Sequence, residues 1–169
     1  AHIDSIRLST SGGGVLDINR FHDITTCPST LVTNGNDSGA GSLRQTIADA
    51  CAGSSITFAG GVSTVGLTSA ELLIDKDLTI DGGAGVTITR VAGSPMFRIF
   101  RITAGDSVAL NRLTISNGLA PGTEFGGGIS NSGTLSLTEC VVSGNSIEIT
   151  SVAGTAFGGA IYSNGPLTI

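Results

Sequence analysis

Phe125-Gly-Gly-Gly-Ile129, Thr134-Leu-Ser-Leu137 and Val141-Val-Ser-Gly-Asn145 are followed by a second start, Phe157-Gly-Gly-Ala-Ile161, and then Pro166-Leu-Thr-Ile169. At an offset of 32 residues, positions 125–137 and 157–169 share Phe, two Gly, Ile, a further Gly and Leu in step. A period in the twenties to forties marks a repeat architecture, in which each unit buries its apolar face only against its neighbours.

Short alternating units extend this pattern toward the N-terminus. Ile56-Thr-Phe58, Leu72-Leu-Ile74, Leu78-Thr-Ile80, Val86-Thr-Ile88, Phe97-Arg-Ile99, Val108-Ala-Leu110 and Leu113-Thr-Ile115 are separated by Gly, Asn or Asp turns. Leu135-Ser-Leu137, Ile147-Glu-Ile149 and Leu167-Thr-Ile169 continue the series. In each unit the outer residues share one face of a strand and the middle one points away. No matched pair is joined by a two-residue Asn-Gly or Asp-Gly hairpin turn, which argues against a sandwich. Coiling solves the problem, because each strand can then pair with its equivalent one turn along. The expected fold is all-β, a right-handed parallel β-helix. Leu113 and Leu135 suggest a coil of 22 residues. That spacing gives about five coils from Cys51 onward, with a bulging loop near 146–156 in the longer repeat.

One segment has helical periodicity. Ser42 is a capping residue with Gln45 three positions on, and Leu43, Ile47, Ala50 and Cys51 fall on one face before Gly53. A short helix there is expected to cap the first coil, whose edges and core side chains need cover. Residues 1–30 read as an N-terminal extension or linker, with Ser9-Thr-Ser-Gly-Gly-Gly14 inside it, and 31–169 as the β-helix. The β-helix is expected to continue beyond Ile169 in a longer protein, since the last strand has no plug. Its uncapped coil offers an edge for self-association.

Composition narrows the function. Charged residues make up 12% of the chain, about half the usual share, while Gly is 26 of 169; such a chain makes strands and turns. The net charge of −5, with one Lys, makes nucleic acid a poor partner. No apolar run is long enough to span a bilayer.

The segments Ser42-Leu-Arg-Gln-Thr-Ile-Ala-Asp-Ala50, Ile56-Thr-Phe58, Leu78-Thr-Ile-Asp-Gly82 and Leu113-Thr-Ile-Ser-Asn-Gly118 resemble the opening of bacterial right-handed parallel β-helix repeat proteins. The Gly-Gly-Gly-Ile, Val-Ser-Gly-Asn and Gly-Gly-Ala-Ile motifs resemble the repeats of chlamydial-type polymorphic outer-membrane proteins. Where those repeats often carry Phe before x-x-Asn, this chain has Val142. The resemblance implies a secreted or surface-attached bacterial protein with a role in adhesion or in contact with polysaccharide or host matrix.

Two constellations could carry chemistry. Glu71, Asp75, Asp77 and Asp81 form an acidic cluster. Asp75 and Asp77 could ligate Ca²⁺, the only cofactor suggested, or the Asp residues could divide acid and base roles in polysaccharide cleavage. The same residues are ordinary turn formers around Lys76 and the Asp81-Gly-Gly turn. Arg90, Arg98, Arg101 and Arg112 hold half of the basic residues. Stacked on one outer side, with Arg98 outward between Phe97 and Ile99, they could bind an anionic polysaccharide. Alternatively they form a solubilising face paired with Asp106, Glu124 or other acids.

Cys27 and Cys51 could form a disulfide, worth roughly 3 kcal/mol in the chain-entropy model; alternatively all three cysteines, Cys140 included, are buried small residues. No Cys pair has zinc spacing, and the two histidines, His2 and His22, lie in the N-terminal segment. Asn36-Asp-Ser38 matches a glycosylation sequon but suits the turn before the helix. Asn117, Asn145 and Asn164 occupy turns and could stack between coils. The expectation is a non-enzymatic surface module, with a lyase or hydrolase as the alternative.

Overall fold

A computed structural model describes residues 27–122, 124–149 and 157–169. The N-terminal segment 1–26 with both histidines, and most of the loop expected near 146–156, lie outside the described residues. The chain is a parallel β-solenoid of about four turns with one short helix. Its elements run β1 (Leu31–Val32), α1 (Leu43–Asp49), β2 (Ser54–Phe58), β3 (Thr64–Leu67), β4 (Leu72–Ile74), β5 (Leu78–Arg90) and β6 (Phe100–Ile102). Then come β7 (Ser107–Ser116), β8 (Leu119–Pro121), β9 (Ile129–Asn131), β10 (Thr134–Thr138), β11 (Val141–Ser143), β12 (Ser146–Glu148), β13 (Ile161–Ser163) and β14 (Leu167–Thr168).

Every named strand pairs in parallel with its equivalent in the next turn. The first column is β1-β2-β5-β7-β10-β14. β5 and β7 bend and continue into a second column with β3 and β11. β4-β6-β9-β13 makes the third, and β8 with β12 a short fourth. The register aligns side chains into inward stacks: Ile56–Ile80–Leu110–Leu137 in the first column, Val65–Ile88–Ile115–Val142 in the second and Leu72–Phe100–Ile129–Ile161 in the third. Ile56, Ile80, Leu110, Ile88, Ile115, Phe100 and Ile129 are wholly buried, so the hydrophobic gain is shared by successive turns.

The register corrects the expected 22-residue coil. Leu135 lies opposite Val108, while Leu113 pairs with Val86. Equivalent residues are 24 apart from Ile56 to Ile80, 27 from Leu110 to Leu137 and 32 from Leu135 to Leu167. The spacing varies because the corners between columns differ in length. Two of the bends use backbone in the left-handed region, supplied at one corner by Arg112 (φ 52°) and Glu139 (φ 53°), which are equivalent in successive turns, and at the next by Asn117 (φ 59°) over Gly144 (φ 64°).

Two expected strands are displaced. The third-column strand is Phe100–Ile102, so Phe97 and Ile99 lie before it, with Phe97 in an antiparallel bridge to Leu119. Ile149, expected to face inward, is exposed instead, because β12 ends at Glu148. Ser146–Glu148 pairs with β8, so the first three residues of the expected loop belong to the ladder.

Ser42 caps α1 by accepting from the Gln45 amide, and the helix buries Leu43, Thr46 and Ile47. Its far end is held by the single lysine: Lys76 Nζ donates to the carbonyls of Ile47 (3.3 Å), Ala48 (3.2 Å) and Ala50 (3.3 Å). Cys27 and Cys51 are joined in a disulfide next to this helix, and Cys140 is free and half-buried. Among the described residues no helix is long and apolar enough to cross a membrane.

The Gly-rich motif is explained by close backbone approach. A Cβ at Gly127 would sit 2.2 Å from the Ser146 carbonyl oxygen and 2.4 Å from that of Gly159, with backbone on both sides unable to yield. Gly159, its equivalent one repeat later, has open space around that position. Gly127→Ala is therefore expected to cost about 2–4 kcal/mol in urea unfolding and Gly159→Ala less than about 0.5 kcal/mol, although both change the same motif position.

Candidate functional site

The four acidic candidates do not converge. Asp75 and Asp77 occupy the corner between β4 and β5, and Asp81 ends the first limb of β5. Asp81 lies four positions beyond Asp77 on extended backbone, roughly 13 Å along the strand, beyond the carboxyl separations of paired-acid glycosidases. Each has local work. Asp75 is exposed and lies 3.7 Å from Lys76 Nζ. Asp77 accepts the Ser107 amide of the next turn at 2.7 Å. Asp81 accepts the Gly83 amide at 2.8 Å and pairs with Arg112. Among the described residues no three His, Cys, Asp or Glu side chains are grouped to share a metal ion.

The arginines do not form one strip. Arg90 ends β5 in the second column and donates to the carbonyls of Asn117 and Ser94, both at 3.0 Å. Arg112 stands at the corner between first and second columns, on Asp81. Arg101 projects from the third column and is 57% exposed at its side chain. Arg98 is the clearest correction: it precedes β6 and is buried, 7% exposed, rather than outward. Its Nη2 pairs with Glu124, and its Nε sits 2.7 Å from Glu71 Oε2, an ionic contact off the N–H axis. Nη1 donates to the Phe125 carbonyl at 2.7 Å. Burial pulls this guanidinium below its ordinary value, the Glu71 charge opposing and the Arg101 charge adding to it. Asp106, offered as an arginine partner, instead binds the Thr103 hydroxyl.

Glu71 is thus the meeting point of the two candidate sets, with Arg98 at 2.7 Å and Arg101 at 3.6 Å. Around this node gathers a group that the sequence did not single out. The outward side of the third column reads Leu73–Arg101–Ser130–Tyr162. Phe125 stacks on Tyr162 with ring centroids 4.7 Å apart, and Phe157 packs on Phe125 at 5.6 Å. The repeat offset places Tyr162 opposite Ser130, and that substitution of Tyr for Ser was the signal available. A second outer surface, along β5, β7 and β10, is a shallow groove floored by Thr79, Ala109 and Ser136 with Asp77 at its rim.

The turn asparagines act separately. Asn145 donates to the Ile115 carbonyl and accepts the Gly118 amide, both at 2.8 Å, and so bonds the neighbouring turn. Asn117 stands one register position away, over Gly144, and donates to Thr89. Asn164 lies at a different corner and does not join them. Asn131 is the inward asparagine, fully buried in the Ile74–Ile102 stack and satisfied by Ser163, Pro166 and Gly133.

Near the helix, Arg44 donates to Asp37 Oδ1 (2.7 Å) and to the carbonyls of Glu71 (2.7 Å) and Ala70 (2.6 Å). No protein-family model matches the sequence, and comparison with curated proteins and with solved structures finds no similar protein.

Burial pushes the Asp37 carboxyl up, but hydrogen bonds from Ser69, Arg44 and Thr68 and the Arg44 charge outweigh it, and the group lies below its ordinary value. A depressed carboxylate stabilises the fold above its unfolded value near 3.9 and ceases to do so as pH falls through the folded value. Asp37→Asn is expected to be about 1 kcal/mol less stable than the wild type at neutral pH, and the gap to close below about pH 4, measured by thermal unfolding across pH.

Proposed function

We propose that the chain is a non-catalytic module of a secreted or cell-surface protein, a stiff β-helical rod that makes adhesive contact with polysaccharide or matrix. The observation that carries the reading is how the candidate groups are used. Asp77, Asp81, Arg90, Arg98 and Arg112 are each bound to the chain's own backbone or to an opposite charge, and Asp77 and Asp81 stand at opposite ends of one strand limb. The disulfide between Cys27 and Cys51 supports an oxidising compartment. The likeness of the Gly-Gly-x-Ile motifs to polymorphic outer-membrane repeats supports a bacterial surface role. The coil is taken as right-handed, the sense that nearly all parallel crossovers adopt. Helix α1 serves as its cap, with Leu43 and Ile47 buried and Lys76 on the last carbonyls.

The test is retention on surfaces coated with purified polysaccharides or extracellular matrix, read by quartz microbalance with and without a calcium chelator, alongside assay of the supernatant for cleaved polymer. Saturable retention, insensitive to the chelator and without cleavage, is expected. Polymer cleavage that is lost in Asp75→Ala, Asp77→Ala or Asp81→Ala would overturn the reading in favour of a lyase or hydrolase.

A further inference from the structure

We infer that the outer side of the third column binds a neutral hexopyranose glycan, with its sugar rings on Tyr162 and Phe157 and its hydroxyls on Arg101 and Glu124. This rests on the surface-contact reading and gives that surface a location and a ligand class.

The chain has seven aromatic residues, six Phe and one Tyr. Phe97 and Phe100 belong to the core, but Phe125, Phe157 and Tyr162 gather on the outside, and Phe157 is 56% exposed. A pyranose ring has one face of C–H groups, weakly positive, which suits the negative face of an aromatic ring. Ser130 lies between Arg101 and Tyr162 in the outward stack. Arg101 and Tyr162 are therefore two strand spacings apart, roughly 9–10 Å, the reach of two linked sugar rings.

The platform is fixed from below. Arg98 spans three successive turns, holding Glu71, Glu124 and the Phe125 carbonyl while itself buried. A buried ion network of this kind is seldom more stabilising than apolar packing. What it adds is position, since the Nη1 hydrogen bond to the Phe125 carbonyl ties down the backbone that carries the ring. Arg98 is therefore a positioning residue.

Charge selects the ligand. Glu71 and Glu124 offset Arg98 and Arg101, so the patch has no net charge, and the whole chain carries −5. An anionic polymer gains little at such a surface. Hydroxyl groups do gain, because Arg101 presents donors at an exposed side chain and Glu124, 44% exposed, presents an acceptor. Convergent polar groups beside aromatic rings are the usual make-up of a small-ligand site.

Tyr162 is the sole tyrosine and the chain has no Trp, so tyrosine emission reports this patch alone. The experiment titrates the protein with cellohexaose, maltohexaose, laminarihexaose, chitohexaose and hexagalacturonate. At least one neutral hexasaccharide is expected to change the emission saturably at millimolar or lower concentration. Phe157→Leu, which keeps an apolar side chain at an exposed position, is expected to weaken that binding about tenfold, and Arg101→Gln several-fold. Hexagalacturonate is expected to bind more weakly than the best neutral sugar. The inference is overturned if no neutral sugar perturbs Tyr162, if Phe157→Leu binds like the wild type, or if hexagalacturonate binds most tightly. Retention of the protein on polymer-coated surfaces without any Tyr162 response overturns this site and leaves the contact-module reading standing.

Discussion

The structure depends on one repeated interaction, the parallel backbone ladder between a strand and its equivalent in the next turn. Short strands are unstable alone, and here β4, β6, β9 and β13 are three residues each. The ladder makes them viable by giving β6 and β9 a neighbour on both sides and β4 and β13 a neighbour on one. It also dictates side-chain order. Once Ile80 lies opposite Leu110, Leu78 must lie opposite Val108 and Asp81 opposite Asn111, so inward and outward stacks are set by a single register.

Holding that register puts demands on the corners, and most of the polar chemistry of the chain answers them. Asp77 and Asn145 each satisfy a backbone amide in an adjacent turn, and Arg90 caps two carbonyls. Lys76 and Arg44 anchor the helix and the loop before it. A buried polar group left without a partner costs about 1–3 kcal/mol, so the part-buried contacts of Asn145, Lys76 and Arg44 help hold the fold. The consequence for function is that, among the described residues, Asp77, Asp81, Arg90 and Arg112 are engaged by the chain itself. On the third column Arg101 and Glu124 keep exposed side chains although each has an ionic partner, and the aromatic group lies beside them.

Much of the fold was legible. Leu72–Ile74, Leu78–Ile80, Val86–Ile88, Val108–Leu110 and Leu113–Ile115 were readable as strands because inward aliphatics alternate with outward Thr, Ala or Leu. Ser42 and the Leu43–Ile47 spacing disclosed the helix. The coil length was not legible, since left-handed Arg112 and Glu139 carry no sequence signature of a bend. Arg98 misled for a related reason. Alternation places it outward, but it lies in the irregular backbone before β6, where Phe97, Arg98 and Ile99 are all buried, and a carboxylate on either side makes that possible. The aromatic patch was not legible, because Phe125 and Tyr162 are 37 residues apart and meet only through the register of β9 and β13.

The most direct test of the register is a set of methyl–methyl nuclear Overhauser contacts in solution. Contacts are expected to link Ile56 to Ile80, Ile80 to Leu110 and Leu110 to Leu137, in that order and with no turn skipped. Close Hα–Hα contacts typical of antiparallel pairs across these strands, or Leu135 facing Leu113 in place of Val108, would contradict it.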